Sequence, residues 1–287
     1  MQITANAWNE YITRLSRLNQ KAGQLMRQYI DTHGTGDADA LITYAAALVT
    51  KYGEGSAELA CQMYDALAEA ANAGVPAAEP AEPADYGEVA RMVNATKNQN
   101  PANLPNGVSR LVKRAGADTT LKNAVRDGAE WAWVPHGDTC PFCITLASNG
   151  WQKASSKVLK GGHAEHIHAN CDCEFAIRFD HNTTVAGYDP EKYLAQYNAA
   201  GGDINKMRRV NYAANKERIN AQKRAAYAAR KALENQEPSV PGVIQDVLAE
   251  YQRNAKPGAG TLTYGESYRI AHHAEEIKTA QWLHENL

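Results

Sequence analysis

The stretch that decides the fold runs from Trp131 to Phe179 and reads WAWVPHGDTCPFCITLASNGWQKASSKVLKGGHAEHIHANCDCEFAIRF. Four of the five cysteines of the chain lie in it as two pairs, and a histidine stands shortly before the second pair. These candidate ligands are Cys140, Cys143, His168, Cys171 and Cys173. Zn²⁺ prefers thiolate and imidazole ligands in a tetrahedral arrangement, so two such pairs that return to one point would close a site. The stretch therefore predicts a small module folded around one zinc ion.

A tetrahedral zinc site needs only four of these five candidates. Pro141 stiffens the turn between the first two cysteines. From Cys171 onward apolar and polar residues alternate, as a half-buried strand requires, so Cys171 and Cys173 are expected to point inward while Glu174 faces outward. The favoured ligand set is Cys140, Cys143, His168 and Cys171, with Cys173 as the alternate.

Other sites built on cysteine or histidine explain the stretch less well. A disulfide framework belongs to oxidising compartments, and the N-terminus does not resemble a signal peptide. A thioredoxin-like redox site would leave the second cysteine pair unexplained. The run His163-Ala164-Glu165 has the H-x-E of zinc deaminases, but here the cysteine pair comes before it rather than after it. The enzymatic alternative is an HNH-type nuclease, whose residues would be His163, His166, His168 and Asn170.

The two cysteine motifs resemble the signature of the Mu F-like minor head (head morphogenesis) proteins of tailed bacteriophages and prophages. The first motif, DTCPFC, ends at Cys143, and the second, HANCDC, begins at His168. The sequence has Ala169 where proline is common in that family, and Asp172 where arginine is common. The resemblance implies a structural, non-enzymatic minor capsid protein that carries zinc. It also implies association with the portal protein and capsid components during head assembly and DNA packaging or ejection. The expected location is the virion, after assembly in the host bacterial cytoplasm.

Composition bounds the remaining possibilities. The chain has 287 residues, 44% of them hydrophobic, and a net charge of −2, which suits one or two domains with appendages. No apolar run approaches the length of a membrane span. The small net charge conceals an asymmetry, because residues 1–90 hold 12 acidic against 5 basic residues, whereas residues 204–233 hold nine basic residues and one acidic residue. The two ends are therefore expected to face different partners.

The first 73 residues predict an N-terminal helical bundle. Apolar residues at helical spacing indicate a first helix from Thr4 to about Ile30. Asp37 is the expected cap of a second helix, and Gly53 with its neighbour Gly55 is expected to end it before a third helix begins. Cys61, on that third helix, is expected to be a small buried apolar residue.

Residues 74–85, which are rich in Pro, Ala and Glu, predict an extended linker between domains. The following segment, 86–182, is expected to be a helical body that contains the zinc module at 131–180. Asp85 and Glu88 form the pattern of a capping box, and further helices are expected at about 108–115 and 118–132. Trp131 and Trp133 are expected to cover the metal module with bulky apolar surface.

The rest of the chain predicts a basic arm and a loosely organised end. A basic helical arm is expected at 186–235, with Asp203 as the cap of its long helix. A Pro- and Gly-containing linker follows at 236–260, and residues 261–287 look like the start of a C-terminal module. The second alternative function, carriage of a C-terminal toxin or nuclease, rests on that segment. The predicted fold class is mainly α: a helical bundle, a helical body with a zinc-stabilised knuckle that contains β-structure, and a projecting basic helix.

The basic helix is the candidate contact with packaged DNA or with an acidic surface of the portal. It is poor in large apolar residues, which predicts an exposed rod rather than a core helix. Its cations are expected to spread around the helix rather than to form one stripe. They are Lys206, Arg208, Arg209, Lys216, Arg218, Lys223, Arg224, Arg230 and Lys231.

Overall fold

A computed structural model describes residues 2–136, 139–160 and 173–234. The fold is mainly α, as the sequence predicts. The long helices are α1 (Ala5–His33), α2 (Ala38–Ala70), α3 (Tyr86–Gln99), α4 (Leu104–Asp127) and α8 (Ile204–Glu234). The shorter helices are α5 (Pro141–Ala147), α6 (Ser156–Lys160) and α7 (Pro190–Ala199), with one 3-10 turn at Pro101–Asn103. The strands are β1 (Gln2–Ile3), β2 (Glu130–Val134), β3 (Gln152–Lys153), β4 (Glu174–Arg178) and β5 (Thr184–Val185).

Helix α4 is the centre of the molecule, because α1, α2, α3 and β4 all pack against it. Two hydrophobic clusters surround it. One joins α1, α2, α3 and α4 and includes Met26, Val49 and Leu111. The other joins α1, α2 and α4 to the β-sheet and includes Tyr64 and Phe175.

The predicted break at Gly53 and Gly55 is wrong, because α2 continues through both glycines as one helix of 33 residues. Both positions are instead points of close approach. A Cβ atom at Gly53 would lie 3.0 Å from the Cβ of Pro83, and one at Gly55 would lie 3.4 Å from the Cδ1 of Leu18. Glycine destabilises the interior of a helix, and at these two positions the close packing that it permits compensates for that loss.

The predicted division of α4 into two helices is also wrong. The helix runs unbroken from Leu104 through Gly116 to Asp127, and the expected second helix ends earlier than predicted because strand β2 begins at Glu130. Gly128, with φ of +66°, ends α4 in the left-handed conformation that glycine adopts most easily. Gly116 lies against Ser56 of α2, so this glycine marks a helix crossing.

The segment 74–85 has neither helix nor strand, and it is tied to the helices beside it. The backbone N–H of Ala78 donates to Asp65 of α2, while that of Ala81 donates to Thr119 of α4. Asn123 bonds Glu79 in both directions, accepting from its N–H and donating to its C=O. Residues on both sides of the segment therefore share the clusters around α4, and the division into domains here stays a prediction.

The three-stranded sheet has the order β3-β2-β4, and its strands are antiparallel. Trp131 pairs with Ile177 and Trp133 with Phe175. The predicted exposed face of β4 is wrong, since Glu174 is only 5% exposed and forms an ion pair with Lys113 of α4. The strand is covered on both faces because α4 packs on the polar face of the predicted alternation.

The two ends of the described chain meet this body in different ways. Strand β1 pairs in parallel with β5, so Ile3 is joined to Val185, which is distant from it in the sequence. Helix α8 is anchored at its first turns, where Met207 is buried and its sulfur accepts a hydrogen bond from Thr145 of α5. After Met207, every α8 side chain whose exposure is described is exposed or half-buried, so the predicted exposed helix is confirmed.

Candidate metal centre and basic helix

Helix α5 positions the first cysteine pair. Cys140 occupies the position before its first turn, Pro141 begins the helix, and Cys143 stands one turn further on. Proline suits the first turn because no intrahelical bond is lost there, and its fixed φ favours the helical start. The short helix places Cys143 in the core, with no exposed surface, while Cys140 is partly buried beside it.

The start of β4 brings a third cysteine into the same hydrophobic cluster. Cys173 has no exposed surface and belongs to the cluster that contains Cys143. Cys140 packs against that cluster. None of the described cysteines, Cys61 on α2 included, is in a disulfide. Three of the five candidate ligands, from two segments of the chain, therefore border the same hydrophobic cluster.

Aromatic side chains cover this region. The rings of Trp131 and Trp133 both meet the ring of Phe175 edge-on, with centroid distances of 5.3 and 4.8 Å. Both tryptophans are buried, at 4% and 3% exposure, so they form apolar cover as the sequence predicts. They are unavailable for stacking on nucleic-acid bases.

A second aromatic group lies at the end of α5. The hydroxyl of Tyr188 donates to the carbonyl of Ala147 at the end of α5, and its ring meets the rings of Trp151 and Tyr193. Burial raises the pKa of the Tyr193 phenol, and the nearby Cys173 raises it further. Helix α7, which carries Tyr193, therefore packs beside the cysteines.

A buried ion pair adjoins the cysteines on the side of α4. Nζ of Lys113 lies 3.0 Å from Oε1 of Glu174, and the two side chains are 3% and 5% exposed. Tyr11 is buried close by, and burial together with the Glu174 carboxylate raises the pKa of its phenol. The sequence alone does not predict this pair, because an alternating strand pattern assigns Glu174 to solvent. Lys113 stands among the apolar residues of α4 in the sequence, and this position was the available signal for a buried carboxylate partner, since a buried lysine needs one.

The remaining sequence-predicted residues of the site lie outside the described part of the chain. They are His163, His166, His168, Asn170 and Cys171. Within residues 2–136, 139–160 and 173–234, no group of three or more His, Cys, Asp or Glu side chains is arranged to hold a metal ion. The zinc site and the HNH-type alternative therefore stay predictions, and so does the choice among the five candidate ligands.

The described donors fit zinc by their chemistry and their burial. Thiolates are soft ligands, and Cys143 and Cys173 have no contact with solvent that would compete for an ion. A zinc ion bound here would neutralise thiolates that are otherwise costly to bury. The sequence between β3 and β4 contains His168 and Cys171, so it would have to supply the remaining ligands of a four-coordinate zinc ion.

The cations of α8 lie on the surface. Each of those whose exposure is described is exposed: Lys206, Arg208, Arg209, Lys216, Arg218, Lys223 and Arg224. The side chains of Arg230 and Lys231 lie outside the described set, although both residues are within the helix. Arg218 donates hydrogen bonds to Asn215, three residues earlier on the same helix. The helix therefore presents a basic surface that begins at the metal-candidate module.

Across the described residues, no helix is both long enough and apolar enough to cross a membrane. No curated protein and no solved structure matches the chain significantly. The model of the family described as VG15 protein matches residues 2–200, which run from β1 to the end of α7 and include all five candidate metal ligands. The chain therefore belongs to the VG15 protein family, a family of viral and phage gene products.

Proposed function

We propose that the protein is a structural minor capsid protein of a phage head, which associates with the portal or the inner capsid during head assembly. The observation that carries the proposal is the VG15 match, since it covers the helical body together with both cysteine motifs. The resemblance of DTCPFC and HANCDC to minor head proteins supplies the finer role. The family match and the motif resemblance agree on a phage protein, although the match spans the residues that carry the motifs.

The geometry supports a scaffold role for the module. Cys143 and Cys173 are buried in the cluster that also holds α1, α2 and α4 together. On the other side, α5 carries the first turns of α8 through Thr145 and Met207. A zinc ion held by these cysteines and by His168 or Cys171 would fix the body, the sheet and the basic helix to one another. Such a site stabilises a shape that a partner binds.

An assembly role also fits the surface charges. The acidic residues of the first 90 positions and the basic residues of α8 are separated along the chain. Glu54 and Glu58 are exposed on α2, whereas Arg209 and Lys216 are exposed on α8. Two surfaces of opposite sign can contact two different components of a particle, which favours an adaptor over a single-substrate enzyme.

The test is co-expression of the full chain with the portal protein of the same phage, followed by gel filtration and analysis of both proteins in each fraction. We expect the two proteins to migrate together as a ring-sized complex. The matched control is the portal of an unrelated phage, which should not retain the chain. Separate migration at low, moderate and high salt would reject the portal association. Turnover of nucleic acid by the purified chain would favour the nuclease alternative.

A further inference from the structure

Most of the described cations of α8 share one face of the helix, whereas the sequence analysis expected them to spread around it. An α-helix turns by about 100° per residue, so Lys206, Arg209, Lys216, Lys223 and Arg224 fall within an arc of roughly 100°. Only two described cations of the helix, Arg208 and Arg218, point elsewhere. We call these five residues the basic face.

The opposite side of the helix is the side that contacts the body. Over residues 204–215 the half-buried or buried positions are Ile204, Met207, Asn211 and Asn215, and they centre almost opposite the basic face. Anchoring on α5 through Met207 therefore turns the basic face away from the molecule. The orientation of the charges is set by packing and is not random.

The basic face has an excess of charge that its own helix does not neutralise. A solvated helix usually mixes acidic and basic residues at spacings of three and four, which stabilises it locally. In α8 the acidic residues are Glu217 and the terminal Glu234, against nine cations. Asp203 lies near Lys206 and Arg209, whose charges help to lower its pKa, but it stands before the first turn. The face beyond that turn remains strongly positive.

Tyrosines lie among these cations. Tyr212 and Tyr227 are 47% and 59% exposed, and both fall within or at the edge of the basic face. Tyrosine side chains, like those of lysine and arginine, donate hydrogen bonds to the phosphate backbone of DNA, so exposed tyrosines among these cations suit a surface that contacts a duplex. An acidic protein partner would need a complementary apolar contact, and the large apolar side chain exposed on this helix, Val210, stands beside the face rather than in it.

We propose that the basic face of α8 binds the phosphate backbone of duplex DNA, independently of base sequence. The five cations extend over about 27 Å along the helix, at 1.5 Å per residue, so they can meet phosphates over more than one half-turn of a duplex. Contacts to phosphates carry no sequence information, and α8 therefore binds any duplex of sufficient length. The proposal does not depend on the portal association, because it concerns an isolated property of this helix.

The experiment measures binding of the full chain to a short duplex of mixed sequence at rising salt. Five phosphate contacts give a slope of log K against log salt of roughly −4.5, at about −0.9 per contact. The variant R209Q/R224Q removes two arginines from the basic face and should make the slope shallower by about 2. Its matched control, R208Q/R218Q, removes two arginines from elsewhere on the same helix and should leave the slope close to that of the unmodified chain.

Three outcomes would overturn the proposal. They are absence of duplex binding at low salt, an equal effect of the two double variants, and tighter binding to polyglutamate, an acidic polypeptide, than to DNA. The last would assign the face to a protein partner. Circular dichroism of each variant checks that α8 remains helical, which is expected because all four substituted arginines are exposed. A second duplex of unrelated sequence should bind with the same affinity.

Discussion

Helices α2 and α8 are almost equal in length, at 33 and 31 residues, and both are rich in alanine, yet they have opposite surroundings. Sixteen residues of α2 are buried between α1, α3, α4 and the segment 74–85. In α8, Met207 is the single buried residue among those whose exposure is described. Length and helix propensity are therefore shared, and tertiary packing is what differs.

The difference lies in which side chains stand at helical spacing. In α2, Leu41, Val49 and Tyr64 are among the large apolar residues that fill the space between neighbouring helices. In α8, alanine, arginine and lysine take most positions, and these residues favour the helix without requiring a partner. We infer that α2 is helical because it is packed, whereas α8 is helical largely through local preference.

The largest expected effect comes from the cysteines that lie between these two regions. Cys143→Ser should remove about one bound zinc per chain and loosen α5, to which α8 is anchored. Structural zinc contributes on the order of 10–16 kcal/mol of apparent binding free energy to folding, so the sheet and α5 should become sensitive to protease while α2 stays protected. Metal analysis and limited proteolysis measure the two effects.

Cys61→Ser is the matched control for this change, because Cys61 is buried in α2 and is not a candidate ligand. Burial and the nearby Glu58 and Asp65 raise the pKa of its thiol to about 11, so it stays a neutral apolar residue. This variant should retain zinc. Less than about half an equivalent of zinc in the unmodified protein, produced with ample zinc, would contradict the zinc site itself.

A second prediction concerns the crossing of α2 and α4. In Gly116→Ala the new Cβ would lie 2.6 Å from Oγ and 2.9 Å from the backbone oxygen of Ser56, so the helices must move apart. We expect a loss of about 3 kcal/mol in the free energy of unfolding, as for other overpacked sites. The control is Gly36→Ala, where no atom lies within 4 Å. Urea denaturation of both variants measures the difference, and equal stabilities would show that the crossing can relax.

A third prediction compares the two long helices by one substitution. Val49 in α2 has no exposed surface, whereas Val210 in α8 is 66% exposed. Val49→Ala should lower the free energy of unfolding by about 2 kcal/mol, because it removes two buried methyl groups and leaves a cavity. Val210→Ala should change it by less than about 0.5 kcal/mol. A comparable loss in both variants would mean that α8 is packed in solution against something that the described structure does not include.

The sequence predicted where several helices begin because N-terminal caps are local features. Thr4, Asp37, Asp85 and Asp189 each accept a hydrogen bond from the first turn of the helix that follows, and Asp203 does the same for α8. The predicted capping box at Asp85 is only half present, since Glu88 turns to Arg114 of α4 instead. Arg114 lies 26 positions from Glu88, so no local sequence pattern predicts their contact.

The errors have a common cause in long-range packing. Gly53 and Gly55 looked like helix breaks because glycine disfavours helices, but each is a contact with a distant element. Glu174 looked exposed because its neighbours alternate, but Lys113 compensates its burial. For the candidate site, Cys140, Cys143 and Cys173 border one hydrophobic cluster, and the zinc site that their spacing predicts stays a prediction. The contact of Tyr188, which precedes α7, with Ala147 has no local signal in the sequence.

The smallest expected effect is on the pH dependence of stability, which should differ between the packed body and α8. Asp127 accepts a hydrogen bond of 2.7 Å from Tyr64 of α2 and pairs with Arg126, and this arginine holds the pKa of the Asp127 carboxyl below its ordinary 3.8. A lowered pKa stabilises the fold above pH 3.8, and this stabilisation disappears as the pH falls through the folded-state pKa. Asp127→Asn should therefore cost about 1 kcal/mol near neutral pH, and nothing once the carboxyl is protonated.

Asp203 is the counterpart at the start of α8. Backbone N–H groups of Asn205 and Lys206 lower the pKa of its exposed carboxyl. The pKa of Asp203 is lowered, as is that of Asp127, so both carboxylates stabilise the fold above their folded-state pKa and lose this effect in acid. The helix that Asp203 caps, however, has few contacts with the body. We expect Asp203→Asn to increase hydrogen exchange in the first turn of α8 and to leave the global unfolding transition in place. If the global unfolding transition shifts equally with pH in Asp127→Asn and Asp203→Asn, α8 and the body unfold as one unit. Helices α2 and α8 would then differ in exposure but not in stability.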